Sequence, residues 1–254
     1  AQALRAAARA ALAAVATPSA QPLHSGSGVP GADPGQYLQL MACGILMPVD
    51  VLPDDDPVYQ RLEAQLVAEG RLFRELPRFD GWGEAPGIDA VYALGWLLRA
   101  LRLGQRERFW RGLDGLVRWA RCPDAGTWRE VGPIRTAPRP PEPLIPGRRL
   151  SQSEPCLGSL GVYLQCLRHA LVTPLPDADG RLTGRLRVGA GLLPEWRGQP
   201  LRAEGLGTLG GRVDLALDGA GWWIRAPDCA GLEVCDWSGR VVATLPPGEH
   251  RVPL

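Results

Sequence analysis

Residues 126–131, Gly-Thr-Trp-Arg-Glu-Val, set an indole, a guanidinium and a carboxylate at Trp128, Arg129 and Glu130. A second such stretch, residues 80–89, carries Asp80, Trp82, Glu84 and Asp89 in a glycine-rich context. A carboxylate held within hydrogen-bond reach of a reacting group can donate or take a proton as a general acid or base. On an extended segment, positions two apart lie on the same side, so Trp128 and Glu130 are expected to point together. Gly126 lets the chain turn sharply just before them. The plainer alternative makes Glu130 a loop charge paired with Arg129 or Arg135. For Glu84 it is a helix-start carboxylate that complements the dipole, and Trp82 stands between ring stacking and core packing.

Other chemistries find little support. The six cysteines, Cys43, Cys122, Cys156, Cys166, Cys229 and Cys235, form no CxxC pair, and no His stands at metal-ligand spacing. Isolated thiols of this kind are small buried hydrophobes, although Cys229 and Cys235 could bridge in an oxidising compartment. No metal and no cofactor is expected. His24, His169 and His250 have no carboxylate or Ser partner in sequence and read as structural or exposed. The run Gly-Leu-Gly-Thr-Leu-Gly-Gly at 205–211 follows no βαβ pattern, so it does not read as a phosphate loop.

Composition bounds the rest. With 254 residues, 45% hydrophobic and 22% charged, the chain is long enough for two domains and a sizeable core. A net charge of +1 gives no reason to expect nucleic acid or an anionic membrane as partner. No apolar run approaches the roughly 20 residues of a membrane span. The chain has no Lys and no Asn, a pattern that suggests GC-rich coding more than phosphate recognition. The Ala-rich opening is weakly apolar and ends at Thr17-Pro18, so it reads as a helix rather than a secretory signal. That reading makes the protein cytoplasmic, and a helix begun without a start residue suggests a piece of a longer chain.

Six helices are expected before residue 173: 2–16, 35–47, 56–69, 87–103, 105–121 and 154–171. The second, fourth and sixth are apolar nearly all round and should be buried, while 56–69 and 105–121 are amphipathic. Alternation of this kind predicts stacked helical hairpins in two concentric layers. Asp54–Asp56 and Pro57 suit a helix start. The Pro-rich stretch 132–149 cannot be helical and should be extended. Past residues 173–180 the pattern changes to short alternating stretches between Gly and Pro, which predicts a small antiparallel β-sandwich. The expected class is α plus β, with a helical domain 1–174 and a sandwich domain 175–254.

Four weak motifs occur in order. They are "LPDDDPVYQRLEAQLVAEGRLFR", "DGWGEAPGIDAVYALGWLLRALRLGQRERF", "GTWREV" and "LSQSEPCLGSLGVYLQCL". Their order and spacing over 36–171 resemble the (α/α)6 toroid of six-hairpin glycosidases, most closely the bacterial glucoamylase-like enzymes. Residues 192–217, with Pro194-Glu195-Trp196 and Gly210-Gly211-Arg212-Val213, resemble the β-sandwich that follows the toroid in rhamnosidase-type enzymes.

That resemblance implies cleavage of O-glycosidic bonds by two carboxylates, one protonating the leaving oxygen and one activating water or attacking the sugar. It places Glu130 where the general base stands, with Trp128 offering a ring face to a sugar. The family's acid lies in a Trp-Glu-rich loop that this chain lacks, which leaves Glu84 as the best internal candidate, followed by Asp80 and Asp89. Trp82 and Arg129 complete the expected substrate-binding set. Six helices make half of a twelve-helix toroid, so an N-terminal segment or a second chain is expected to complete it. The chain departs from the family at Val131-Gly132 and at Gln152, Glu154 and Cys156, which leaves the sugar open. The expected partner is an oligosaccharide or glycoside. Two alternatives stand beside the enzyme: a non-catalytic binding or scaffold protein of the same fold, and a glycan-binding module in which the β domain acts.

Overall fold

The structure, a computed structural model, describes residues 3, 6, 7, 10, 53–79, 87–121, 126–129, 131–133, 156–177 and 180–254. Within them the fold is α plus β, with four helices and twelve strands. Residues 3, 6, 7 and 10 of the Ala-rich opening are helical and exposed. The expected helix 35–47 lies outside the described residues.

Helix α1 (Pro57–Ala68) begins on the proline, whose missing N–H costs nothing in a first turn. Tyr59, Leu62 and Leu66 form its buried stripe. Helix α2 (Ala90–Arg102) is buried from Ala93 to its end. It starts three residues later than its apolar pattern suggested, because Gly87–Asp89 form a strand instead. That strand is hydrogen-bonded on both edges, Gly87 disfavours helix, and β-branched Ile88 favours extended backbone. Helix α3 (Arg106–Trp119) buries Phe109, Leu113 and Leu116 and keeps its charged face wet. Helix α4 (Leu157–Leu171) departs from the fully buried helix expected there. Ser159, Val162, Cys166, His169 and Ala170 are buried, while Leu157 and Leu164 are 78% and 55% exposed. No helix among the described residues is long and apolar enough to cross a membrane.

The chain divides into two compact units, neither continuous in sequence. One comprises residues 1–49, 56–97 and 111–164. It holds a four-stranded sheet of β1 (Leu72–Phe73), β2 (Leu76–Phe79), β3 (Gly87–Asp89) and β4 (Val131–Pro133), in that order. The β1–β2 hairpin turns through Arg74 and Glu75, both left-handed with φ of 52° and 66°. Side chains hold this strained turn: Arg74 lies 5.3 Å from the Trp119 ring centroid, and Glu75 pairs with Arg111 at 2.8 Å. Gly112 admits the close approach of Leu97 and Leu76, since a Cβ there would meet Leu97 Cδ2 at 2.5 Å.

The other unit comprises 50–55, 98–110 and 165–254. Its strands are β5 (Val172–Pro176), β6 (Leu182–Val188), β7 (Leu201–Thr208), β8 (Gly211–Asp218), β9 (Gly221–Ala226), β10 (Gly231–Cys235), β11 (Val241–Leu245) and β12 (Gly248–Val252). They form two four-stranded sheets, β11-β10-β6-β5 and β12-β9-β8-β7. Val172, Leu186, Val188, Leu232 and Val234 of the first share one buried cluster with Val213, Leu215, Leu217, Trp222, Ile224 and Val252 of the second. The expected all-antiparallel pattern fails at one pair: β6 and β10 run parallel, joined through the three strands between them. Strand β5 was unexpected because Pro174 and Pro176 argue against a strand. It lies at a sheet edge, where a missing N–H leaves no ladder bond unmade.

Arginine side chains tie the short segments of this unit to its strands. Arg106 donates to the carbonyls of Leu192, Trp237 and Ser238 at 2.6–2.7 Å. Buried Arg102 donates to Pro174 O at 3.0 Å, and Arg187 donates to Arg102 O at 2.9 Å. Trp110 meets Trp196 edge to face at 5.2 Å and donates its indole N–H to Gly191 O at 2.8 Å. Trp196 belongs to the Pro194–Trp196 turn, a single turn of 3-10 helix.

Candidate functional site

Register in the β1–β4 sheet pairs residues 87–89, which end one acidic-aromatic stretch, with residues 131–133, which begin at the end of the other. Strands β3 and β4 are antiparallel, with Gly87 opposite Pro133, Ile88 opposite Gly132 and Asp89 opposite Val131. Directly opposed Cα atoms in such a pair stand about 4.5–5.5 Å apart. The backbone of candidate Asp89 therefore faces the residue that follows Glu130 in the chain. The backbone of Gly87, three residues past Glu84, faces Pro133. Glu130, Glu84, Trp82 and Asp80 lie outside the described residues, as do Arg135 and most of 132–149.

On the other side of Glu130 the chain is held tightly. Gly126 has φ of 65°, in the left-handed region that glycine tolerates. Trp128 pairs with Arg121 in an isolated antiparallel bridge, and Arg129 N–H donates to Ala120 O at 2.7 Å. The Trp128 carbonyl accepts from Cys156 N–H at 2.7 Å, just before α4 begins. The indole is 7% exposed and stacks on Tyr163 of α4, with ring centroids 4.9 Å apart and planes at 30°. Trp128 thus joins three segments, those ending α3, entering β4 and starting α4, and one of its faces is taken by Tyr163. Arg129 is half-buried.

Sequence reasoning did not find Tyr163. It lies 35 positions beyond Trp128, on a helix read from its aliphatic residues, and nothing local marks the pairing. It also did not find that Gly87–Asp89 and Val131–Pro133 would pair, because both runs are only three residues long.

The thiols and histidines lie elsewhere. Cys156, Cys166, Cys229 and Cys235 are free thiols, so Cys229 and Cys235 do not bridge. Burial pushes the Cys166 thiol up to about 12 and the Cys235 thiol to about 11. His169 is buried, and its pKa is lowered to about 3, first by burial and then by the Arg168 charge. Since guanidinium only donates, His169 Nε2, 3.3 Å from Arg168 Nη2, presents its lone pair there. Cys166, Cys235 and His169 are therefore uncharged at neutral pH and have the profile of neither a nucleophile nor a proton carrier.

No family model matches the chain, and no curated protein or solved structure matches it.

Proposed function

We propose that the protein is carbohydrate-active, part of a glycoside hydrolase of the six-hairpin type in which Glu130 acts as general base. The observation that carries this reading is the β3–β4 register. It pairs Gly87–Asp89, which follow Asp80, Trp82 and Glu84 in the chain, with Val131–Pro133, which follow Trp128, Arg129 and Glu130. Two-carboxylate hydrolysis needs acids from distant parts of a chain at one place, separated by about 6.5–9.5 Å where water attacks directly. A short antiparallel ladder between two such segments is a rigid way to do that.

In this reading the helices are hairpins of an α/α toroid, and the two sheets built from β5–β12 pack face to face as a sandwich around their common core. Glu84 supplies the acid within the chain, unless a segment or second chain that completes the toroid brings its own. The substrate is an oligosaccharide or glycoside.

The experiment is glycosidase turnover by the natural full-length protein against a panel of oligosaccharides, with Glu130→Gln as the comparison. A neutral amide cannot take the proton of the attacking water, so turnover should fall about a hundredfold or more. Melting should shift by no more than a surface change allows, about 0.5 kcal/mol. An unchanged rate makes Glu130 a loop charge.

One observation favours the second reading, a non-catalytic binding protein of the same fold. Trp128 is buried against Tyr163, and a ring so used serves the core. Sugar binding that survives Glu130→Gln, with no hydrolysis by the unaltered full-length protein, would decide for that reading.

A further inference from the structure

Strand β9 alternates Trp222, Ile224 and Ala226, buried in the shared core, with Trp223 and Arg225 on the opposite face. Register across the sheet sets Trp223 in a row. Arg251 of β12 stands opposite it on one side, Ala216 of β8 on the other, and Arg202 of β7 lies beyond Ala216. The next row on the same face is Glu249, Arg225 and Asp214. Strands lie about 4.8 Å apart, so a four-strand row spans roughly 14 Å, and the second row runs about 6.8 Å from the first.

Trp223 differs from the other well-packed indoles. Trp110 and Trp196 meet each other, Trp119 meets Phe73 and Arg74, and Trp128 meets Tyr163. Among the described residues no aromatic ring or cation lies against the Trp223 ring, and it is outside the core cluster. Its N–H donates to Glu249 Oε1 at 2.9 Å, which pins the plane of the ring. Ala216 beside it is too small to cover it. The indole is thus held in place and half-exposed, as a ring platform must be, so that little side-chain freedom is lost on binding.

The charges around it are mostly spoken for. Asp214 accepts from Gly205 N–H at 2.6 Å and from Arg225 Nε at 2.8 Å, and Arg202 pairs with Glu204. Arg251 is exposed and, among the described residues, makes no ion pair. A free guanidinium fork directly across from the pinned indole matches a planar carboxylate attached to a ring with an apolar face. A sugar ring presents such a face in its axial C–H bonds, and in a uronic acid residue it carries that carboxylate.

We infer that the outward face of the β12-β9-β8-β7 sheet is a binding site for a uronate-containing polysaccharide, with Trp223 as the stacking platform and Arg251 as the carboxylate clamp. The choice of a saccharide rests on the carbohydrate reading above. The proposed site is built from residues of strands β7, β8, β9 and β12 alone, and binding without cleavage is assigned to it.

The test is affinity electrophoresis of the protein through polygalacturonate, dextran and polyglutamate, followed by titration calorimetry with the polymer that retards it. Polygalacturonate should retard it most, because it alone offers both ring and carboxylate. Trp223→Ala and Arg251→Ala should each raise Kd about tenfold or more, the loss typical of a truncated aromatic or arginine anchor. Trp223→Phe, which keeps a ring, should retain part of the binding and guards against misfolding of the alanine variant. Equal retardation by polyglutamate would mean a charge effect alone and overturn the inference. So would unchanged binding in Arg251→Ala and Trp223→Ala, or no retardation by polygalacturonate. Binding is read without turnover, so failure here leaves the hydrolase reading standing, and absence of hydrolysis leaves this one standing.

Discussion

The Trp128 and Tyr163 rings stack at 4.9 Å, and this contact ties the residues leading to Glu130 onto helix α4. Stacked aromatic pairs contribute about 0.5–1.5 kcal/mol beyond the area they bury. Tyr163→Ala should therefore destabilise the fold by about 2 kcal/mol once lost burial is added. Tyr163→Phe should keep the stack and stay within about 0.5 kcal/mol of the unaltered protein. Urea titrations of the two variants check this. Equal loss in both would mean that the hydroxyl, not the ring, carries the effect.

The β1–β2 turn holds two non-glycine residues at positive φ, a conformation costing roughly 1–2 kcal/mol per residue. Replacing Arg74 by Asn and Glu75 by Gly gives the pair that two-residue hairpins of this kind prefer. The change forfeits the exposed Glu75–Arg111 pair, the long exposed Arg74–Asp114 pair and the Arg74–Trp119 contact, together worth about 1 kcal/mol. Relief of strain is the larger effect, so the double variant should gain about 1 kcal/mol, read as a higher denaturant midpoint.

On the acid side His169 makes stability depend on pH. Its unfolded value is about 6.5, and its folded value is near 3 because burial, then the Arg168 charge, opposes protonation. The unfolded chain binds this proton first as pH falls, so the stabilisation is complete above about 6.5 and is lost progressively toward 3. Asp214 and Asp236, both lowered, give stabilisation that is complete above the ordinary carboxylate range and is lost only below it. Asp214 is held down first by Gly205 N–H and then by Arg225. Melting between pH 6.5 and 4 should therefore fall less steeply in His169→Gln than in the unaltered protein.

On the alkaline side the buried thiols make stability depend on pH, and the chain has no Lys. Burial raises Cys166 to about 12 and Cys235 to about 11. Their contribution is intact below the unfolded thiol value, near 8.5. It is lost as pH rises toward the folded values, because the unfolded chain releases these protons first. Melting should decline above about pH 9, less so in Cys166→Ala when each protein is compared with its own value at pH 7. Iodoacetamide at pH 8 should label half-exposed Cys156 and spare Cys166 and Cys235 until denaturant is added.

Local pattern alone determined much of this protein. Tyr59, Leu62 and Leu66 recur at helical spacing and define α1 whatever they pack against, and Phe109, Leu113 and Leu116 do the same for α3. The end of α4 near residue 171 and the run of short strands past residue 180 were legible in pattern, although strand β5 between them was not, and residues 221–226 were legible as a strand. Tertiary structure decided the rest. Gly87–Asp89 belong to a helical pattern by composition, yet become a strand because β2 and β4 satisfy their backbone from both sides. Leu157 and Leu164 look like core residues, yet α4 turns Ser159, Cys166 and Ala170 inward. Trp128 looked like an open ring until Tyr163 covered one face. Each of these outcomes depends on a partner distant in sequence, and periodicity within a dozen residues carries no record of which distant segment will supply the hydrogen bonds or the opposing surface.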